Sequence, residues 1–151
     1  MTIVFVMSTD EDIVGTKLHT DWGSVSKTFS WEEISERRHN VSEGEVIVVV
    51  AHGNNEQIGN AEGDPGINAA CFVQLVQANM APDAKPSAIY ISTCGKDIAG
   101  YAASVRLYAE ENELLGGTRL LGHDSSVAGE VPSPHLKGST WVEIFEGRTR
   151  G

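Results

Sequence analysis

Runs of consecutive apolar residues rich in β-branched side chains recur along the chain at residues 2–7, 46–51 and 88–92. None of them alternates polar with apolar positions. A strand that is apolar at every position is buried on both faces, so these runs predict parallel strands inside a sheet that is covered on each side. Residues 118–122 make a shorter fourth candidate. Residues 140–145 alternate, with Glu143 between Val142 and Ile144, and predict a half-exposed edge strand.

Helical signals fall between the strands. Residues 31–39 follow Ser30, with Glu32 and Glu33 in the first turn and Arg37, Arg38 and His39 in the last, the charge order that a helix dipole favours. Residues 67–80 bring Phe72, Leu75, Val76 and Met80 onto one stripe, and Pro82 stops that helix. Over 97–113 the apolar positions Ile98, Tyr101, Ala102, Val105, Tyr108 and Ala109 keep a helical period until Gly116 and Gly117. Alternation of strand and helix predicts an α/β fold: a mostly parallel central sheet with helices on both faces, three layers in one domain over residues 1–151. Right-handed crossovers then gather the C-terminal strand ends along one edge, where such folds bind their ligands. Residues 122–138, with Gly122, Gly129, Pro132, Pro134 and Gly138, read as a long loop of the kind that is usually functional.

Charge narrows the partners. The chain of 151 residues carries 21 acidic against 11 basic side chains, a formal net charge of −10. Such an excess repels phosphate backbones and anionic lipid surfaces, which leaves nucleic acid and membranes as poor partners and favours cationic ones. Cys71 and Cys94 lie far apart with no CxxC pair and read as free thiols. The apolar start at Met1–Met7 lacks a basic leader and a cleavage site, so it reads as a first strand and not as a signal peptide. A cytoplasmic protein is the expectation, and a leaderless secretion route would leave the same signature.

The predicted strand ends carry the chemistry. The first delivers Ser8, Thr9, Asp10, Glu11 and Asp12; the second delivers His52, Gly53 and Asn54; the third delivers Thr93, Cys94 and Gly95; the fourth delivers His123 and Asp124. A thiol and two imidazoles thus converge on one edge. Cys94 also precedes a helix that starts near Asp97, where backbone N–H groups favour a thiolate. Cys71, on the amphipathic helix 67–80, reads as a core residue.

Other chemistries drop out. Six residues after Cys94 stands Gly100 and not an arginine, so the cradle of a cysteine-dependent phosphatase is missing. There is no GxGxxG, GxxxxGK[ST] or GxSxG motif. His52, Cys94 and His123 lack the short ligand spacing of a zinc site. Glu62-Gly63-Asp64 is an acidic loop without EF-hand spacing. Asp10 and Asp12 match the acidic pair of a receiver domain, but no lysine stands at the neighbouring strand ends. No cofactor is expected.

A hydrophobic strand ending in His-Gly, a polar hairpin, a helix, and a second hydrophobic strand ending in a small residue and Cys form a pattern. In this chain it comprises Val46–Gly53, the hairpin over residues 54–60, and Ala88–Gly95. The pattern resembles the caspase-like cysteine peptidases, the clan of caspases, clostripain, gingipains and toxin-processing domains, and it covers about a third of the chain. What the resemblance implies is a caspase-like three-layer sandwich and a thiol peptidase. Cys94 would attack the scissile carbonyl, His52 would protonate the departing amine, and the N–H groups of Gly53 and Cys94 would form the oxyanion hole. A third triad member is often absent in this clan. His123 ranks second to His52 as the acid, because Gly53 follows His52 where an oxyanion donor is wanted.

Specificity in the clan is set by the residue before the cut. The edge offers Asp10, Glu11, Asp12, Glu62, Asp64 and Asp124 but hardly a base apart from Lys96. Cleavage of a peptide or protein after Arg or Lys is therefore expected, with Asp10, Asp12 or Asp124 as the substrate-binding acid. Two other readings compete: a Cys/His enzyme acting on other amides or acyl groups, and a catalytically idle α/β binding or regulatory module. Whether the His52 ring and the Cys94 sulfur face a common open cleft separates the two enzyme readings from the idle module, since an imidazole pointing into the core would do no chemistry.

Overall fold

The computed structural model describes residues 2–18, 20–36, 39–53, 56–60, 62, 66–93, 98–122, 130–131 and 141–144. The three apolar runs form β1 (Thr2–Val6), β4 (Val46–Gly53) and β7 (Ala88–Thr93). Between β1 and β4 lie the one-turn helix α1 (Glu11–Val14), β2 (Lys17–Leu18), a 3-10 turn at Thr20–Trp22, β3 (Val25–Phe29) and α2 (Trp31–Glu36). After β4 come β5 (Gln57–Gly59), β6 (Gly66–Asn68) and α3 (Ala69–Asn79). Following β7 are α4 (Ile98–Glu111), β8 (Arg119–Gly122), β9 (Glu130–Val131) and β10 (Val142–Ile144).

The main sheet has the order β10-β8-β7-β4-β1-β3, parallel throughout except for β10, which pairs antiparallel with β8. This is the expected α/β architecture with a mostly parallel sheet. Each central strand is buried on both faces, and alternate residues feed two separate cores. Phe5, Ile47, Val49, Ile89 and Ile91 face one side, where they meet Ile34 of α2, Phe72 and Val76 of α3, and Tyr101 and Val105 of α4. Val4, Val6, Val48, Val50, Tyr90 and Leu121 face the other. Among the described residues, no long helix covers that second face. Ile13 of α1, Trp22 of the 3-10 turn and Val131 of β9 pack there with Trp141. Among the described residues the covering on the two faces is therefore unequal. Tyr90 receives Trp22 and Trp141 edge-on, with ring centroids 4.8 and 5.0 Å away.

Three helices lie where their patterns predict, each shorter than expected. α2 starts with a reciprocal capping box: the Ser30 N–H donates to Glu33 Oε1 at 3.1 Å and the Glu33 N–H to Ser30 Oγ at 3.2 Å. The Ser30 backbone bond, partly opposed by desolvation, holds the Glu33 carboxyl below its ordinary range. His39 lies outside the helix, and Arg37 and Arg38, expected in its last turn, lie outside the described residues. His39 Nε2 instead donates to the Glu33 carbonyl, satisfying an end carbonyl of the helix, and its ring lies 4.6 Å from that of Phe29. α3 is capped by the Asn68 side chain, which accepts from the Cys71 N–H at 2.9 Å; Cys71 itself is partly buried against the core. In α4 the Tyr101 hydroxyl donates to the Ile67 carbonyl at 2.9 Å, and burial pushes its phenol well up.

The edges follow the sequence less closely. β10 is the expected edge strand, and Arg119 on β8 clasps its Glu143 with two hydrogen bonds, at 3.1 and 2.7 Å. β3 was not foreseen. Its residues Val25–Thr28 are exposed and only Phe29 is buried, so no buried-strand signal exists there. Among the described residues, no helix is long and apolar enough to cross a membrane.

The packing generates a stability prediction. Trp141 is 1% exposed at the centre of the second core. Trp141→Ala should cost about 3–5 kcal/mol in urea unfolding, whereas Leu107→Ala, at a position 38% exposed, should stay within about 0.5 kcal/mol.

Candidate active site

The strand order reverses between β1 and β4. From β1 the chain proceeds to β3 on one side, and from β4 it proceeds to β7 and β8 on the other. Loops leaving the C-terminal ends of two such strands diverge and open a crevice between them. Parallel pairing carries β1 alongside β4 from Thr2↔Val46 to Val6↔Val50. The Met7 N–H extends the ladder by donating to the Val50 carbonyl at 2.9 Å. Ser8, Thr9 and Asp10 therefore emerge beside Ala51, His52 and Gly53.

At that point Asp10 meets His52. Its Oδ2 lies 3.5 Å from His52 Nε2, with the two side chains 26% and 19% exposed. The imidazole thus lies at the mouth of the crevice and not in the core. Asp10, expected among the substrate-binding acids, lies with its carboxylate against this ring, for which the sequence pattern offers no acid. Local structure leaves it available for this. Asp10 is the N-cap of α1, yet its side chain makes no capping hydrogen bond to that helix. A capping Asp is ordinarily worth about 0.5–2 kcal/mol, and that contribution is forgone in favour of the imidazole.

His52 and Gly53 are clamped from the other side by the hairpin. β5 pairs antiparallel with the end of β4, Gly59 opposite His52 and Ile58 opposite Gly53. Here only glycine fits. A Cβ on Gly53 would lie 2.7 Å from Ile58 Cγ2 and 2.9 Å from the Gln57 carbonyl oxygen. Of the polar hairpin expected over residues 54–60, Gln57–Gly59 form β5, which pairs with β6, Ile58 opposite Ile67; Asn54 and Asn55 lie outside the described residues.

The other expected site residues divide as follows. β4 and β7 stay in register up to Ala51↔Thr93, the residue that precedes Cys94 in the sequence. Cys94, Gly95, Lys96, Asp64, His123 and Asp124 lie outside the described residues, as does the side chain of Asp12. Glu11 and Glu62 are exposed. A cavity of about 340 Å³ opens beside Ser8 and Thr9, lined also by Val6, Val14, Thr28, Ser30, Trp31, Glu32 and Glu33. Glu32 and Glu33 were read only as helix-start acids; their position at this edge follows from β3, which the sequence pattern concealed. Among the described residues, no group of three His, Cys, Asp or Glu side chains could hold a metal ion.

Comparison with protein-family models, with curated proteins and with solved structures finds no match to this chain.

The close approach at Gly53 is directly testable. Gly53→Ala should destabilise the protein by about 1–3 kcal/mol in urea unfolding, because backbone and a β-branched side chain must both move. It should also speed amide exchange across β5.

Proposed function

We propose that the chain is a caspase-like cysteine endopeptidase that uses a Cys94/His52 dyad and cleaves after Arg or Lys. The observation that carries this reading is the His52 imidazole at the strand-order reversal, partly exposed, facing Asp10. The alignment of Ala51 with Thr93 adds support, since the residues that follow them in the chain are His52 and Cys94.

In this reading the Cys94 thiolate attacks the scissile carbonyl and forms the C–S bond. The oxyanion that develops is held by the N–H groups of Gly53 and Cys94. Protonated His52 gives its proton to the amine nitrogen as the C–N bond breaks, leaving an acyl-enzyme. Water then attacks the thioester carbonyl, His52 takes its proton, and the thiolate departs. Asp10 holds the ring through Nε2, which directs Nδ1 toward the reacting atoms and stabilises the imidazolium while it exists.

Charge selects the substrate. An acid already facing an imidazole offers less to a substrate cation, so the specificity role passes from Asp10 to Asp12 or Asp124. Glu32 and Glu33, on the cavity beside Ser8 and Thr9, add to the negative field at this edge.

A peptidyl electrophile ending in Arg should label the wild-type protein at Cys94 under reducing conditions and leave Cys94→Ala unlabelled. Absence of labelling at Cys94 would favour the idle binding module. Arg-ended peptides should be cleaved at least about tenfold faster than Leu-ended ones, and equal rates would remove the charge selection. His52→Ala should lower kcat by about 10²–10⁴-fold.

A further inference from the structure

The β1–β4 ladder ends at Met7. Beyond it the Asp10 carbonyl accepts from the N–H groups of Ile13 and Val14, while the Asp10 side chain makes no capping bond to α1. Asn60, the residue after β5, also anchors this loop. Its Oδ1 accepts from Ser8 Oγ at 2.7 Å and from the Thr9 N–H at 2.8 Å, and its Nδ2 donates to Thr9 Oγ1 at 2.7 Å. Ser8 Oγ in turn accepts from the Asp10 N–H at 3.1 Å. Ser8 is 1% exposed, so its hydroxyl has little recourse to water, and losing its partner would leave a buried polar group unsatisfied.

These contacts close a ring. Gly59 faces His52 across the β4–β5 pairing, and Asn60 follows it. Gly59 has a φ of 142°, a conformation open to glycine and rarely to other residues, at the point where the chain leaves the ladder toward Ser8 and Thr9. Asn60 grips Ser8 and Thr9, Ser8 grips Asp10, and Asp10 returns to His52. Both members of the Asp10–His52 pair are thus referenced to one hairpin. We infer that Asn60 is the positioning residue that fixes Asp10 on His52 Nε2 and so sets the tautomer and orientation of the imidazole. This deepens the reading of His52 as the proton donor and rests on it for any effect on turnover. The effect on the ring itself stands apart from that reading.

The test is ¹⁵N imidazole NMR of the full chain at a pH where His52 is neutral, with His52→Gln assigning the signals. Wild type should show His52 held in the Nε2–H tautomer. Asn60→Ala and Asp10→Asn should each move it toward the mixture of a free imidazole, and the double variant should move it no further than either alone, because both changes act along one chain of contacts. Should Asn60→Ala fail to fold, Thr9→Val removes one of the three Asn60 bonds at nearly constant shape and should give a smaller shift in the same direction. A wild-type tautomer in Asn60→Ala, no response to Asp10→Asn, or additive shifts in the double variant would each overturn the inference. No turnover is needed, so a protein without peptidase activity leaves this experiment decisive. Where turnover is present, Asn60→Ala should lower kcat by up to about 100-fold at unchanged KM, and an unchanged kcat would count against it.

Discussion

The reversal of strand order between β1 and β4 is the constraint on which the site depends. Parallel strands need long crossovers, and where an open sheet sends successive crossovers to opposite sides of its first strand, the loops diverge. Here that point falls where the chain has placed Asp10 after one strand and His52 at the end of the other. Neither residue needs a special loop to find its partner. The ladder from Thr2↔Val46 to Val6↔Val50 delivers both at the same height, and burial of both strands makes a slip in that register costly, because it would exchange the two cores.

On this scaffold the local interactions consistently favour the crevice over their own elements. Asp10 begins α1 but leaves the helix without its side-chain cap. Gly53 ends β4 without a Cβ, which brings β5 against it more closely than any other residue would allow. Asn60 spends its side chain on Ser8 and Thr9, across the crevice mouth. Each choice forgoes some local stability, and together they hold one imidazole from its backbone and from its ring. Support of this kind fixes the position of an imidazole more closely than a strand end alone would.

The unequal covering of the sheet bears on the same point. The face packed by α2, α3 and α4 has a broad aliphatic and aromatic core. The opposite face depends on Trp22, Tyr90 and Trp141, three rings in edge-to-face contact, and on the short α1. α1 is also the helix that Asp10 begins, so packing of Ile13 into that second core anchors the far side of the loop that carries the carboxylate.

Much of this was legible in the sequence where burial leaves a signature. β1, β4 and β7 are apolar at consecutive positions because both faces are covered, and α3 and α4 show a stripe because one face is. β3 was illegible because four of its five residues are exposed, and an exposed parallel edge strand carries no pattern. The α2 start was readable from Ser30 and Glu33, while its end was not, since His39 turns back to donate to the Glu33 carbonyl with its ring against Phe29. Composition and periodicity by themselves determined an acidic α/β chain with chemistry-bearing residues at the strand ends, because hydrophobic burial repeats at the period of each element. Which strand lies beside which is a property of crossovers and not of periods. Only the tertiary structure could therefore decide that Asp10 faces His52 and that Asn60 bridges to Ser8 and Thr9.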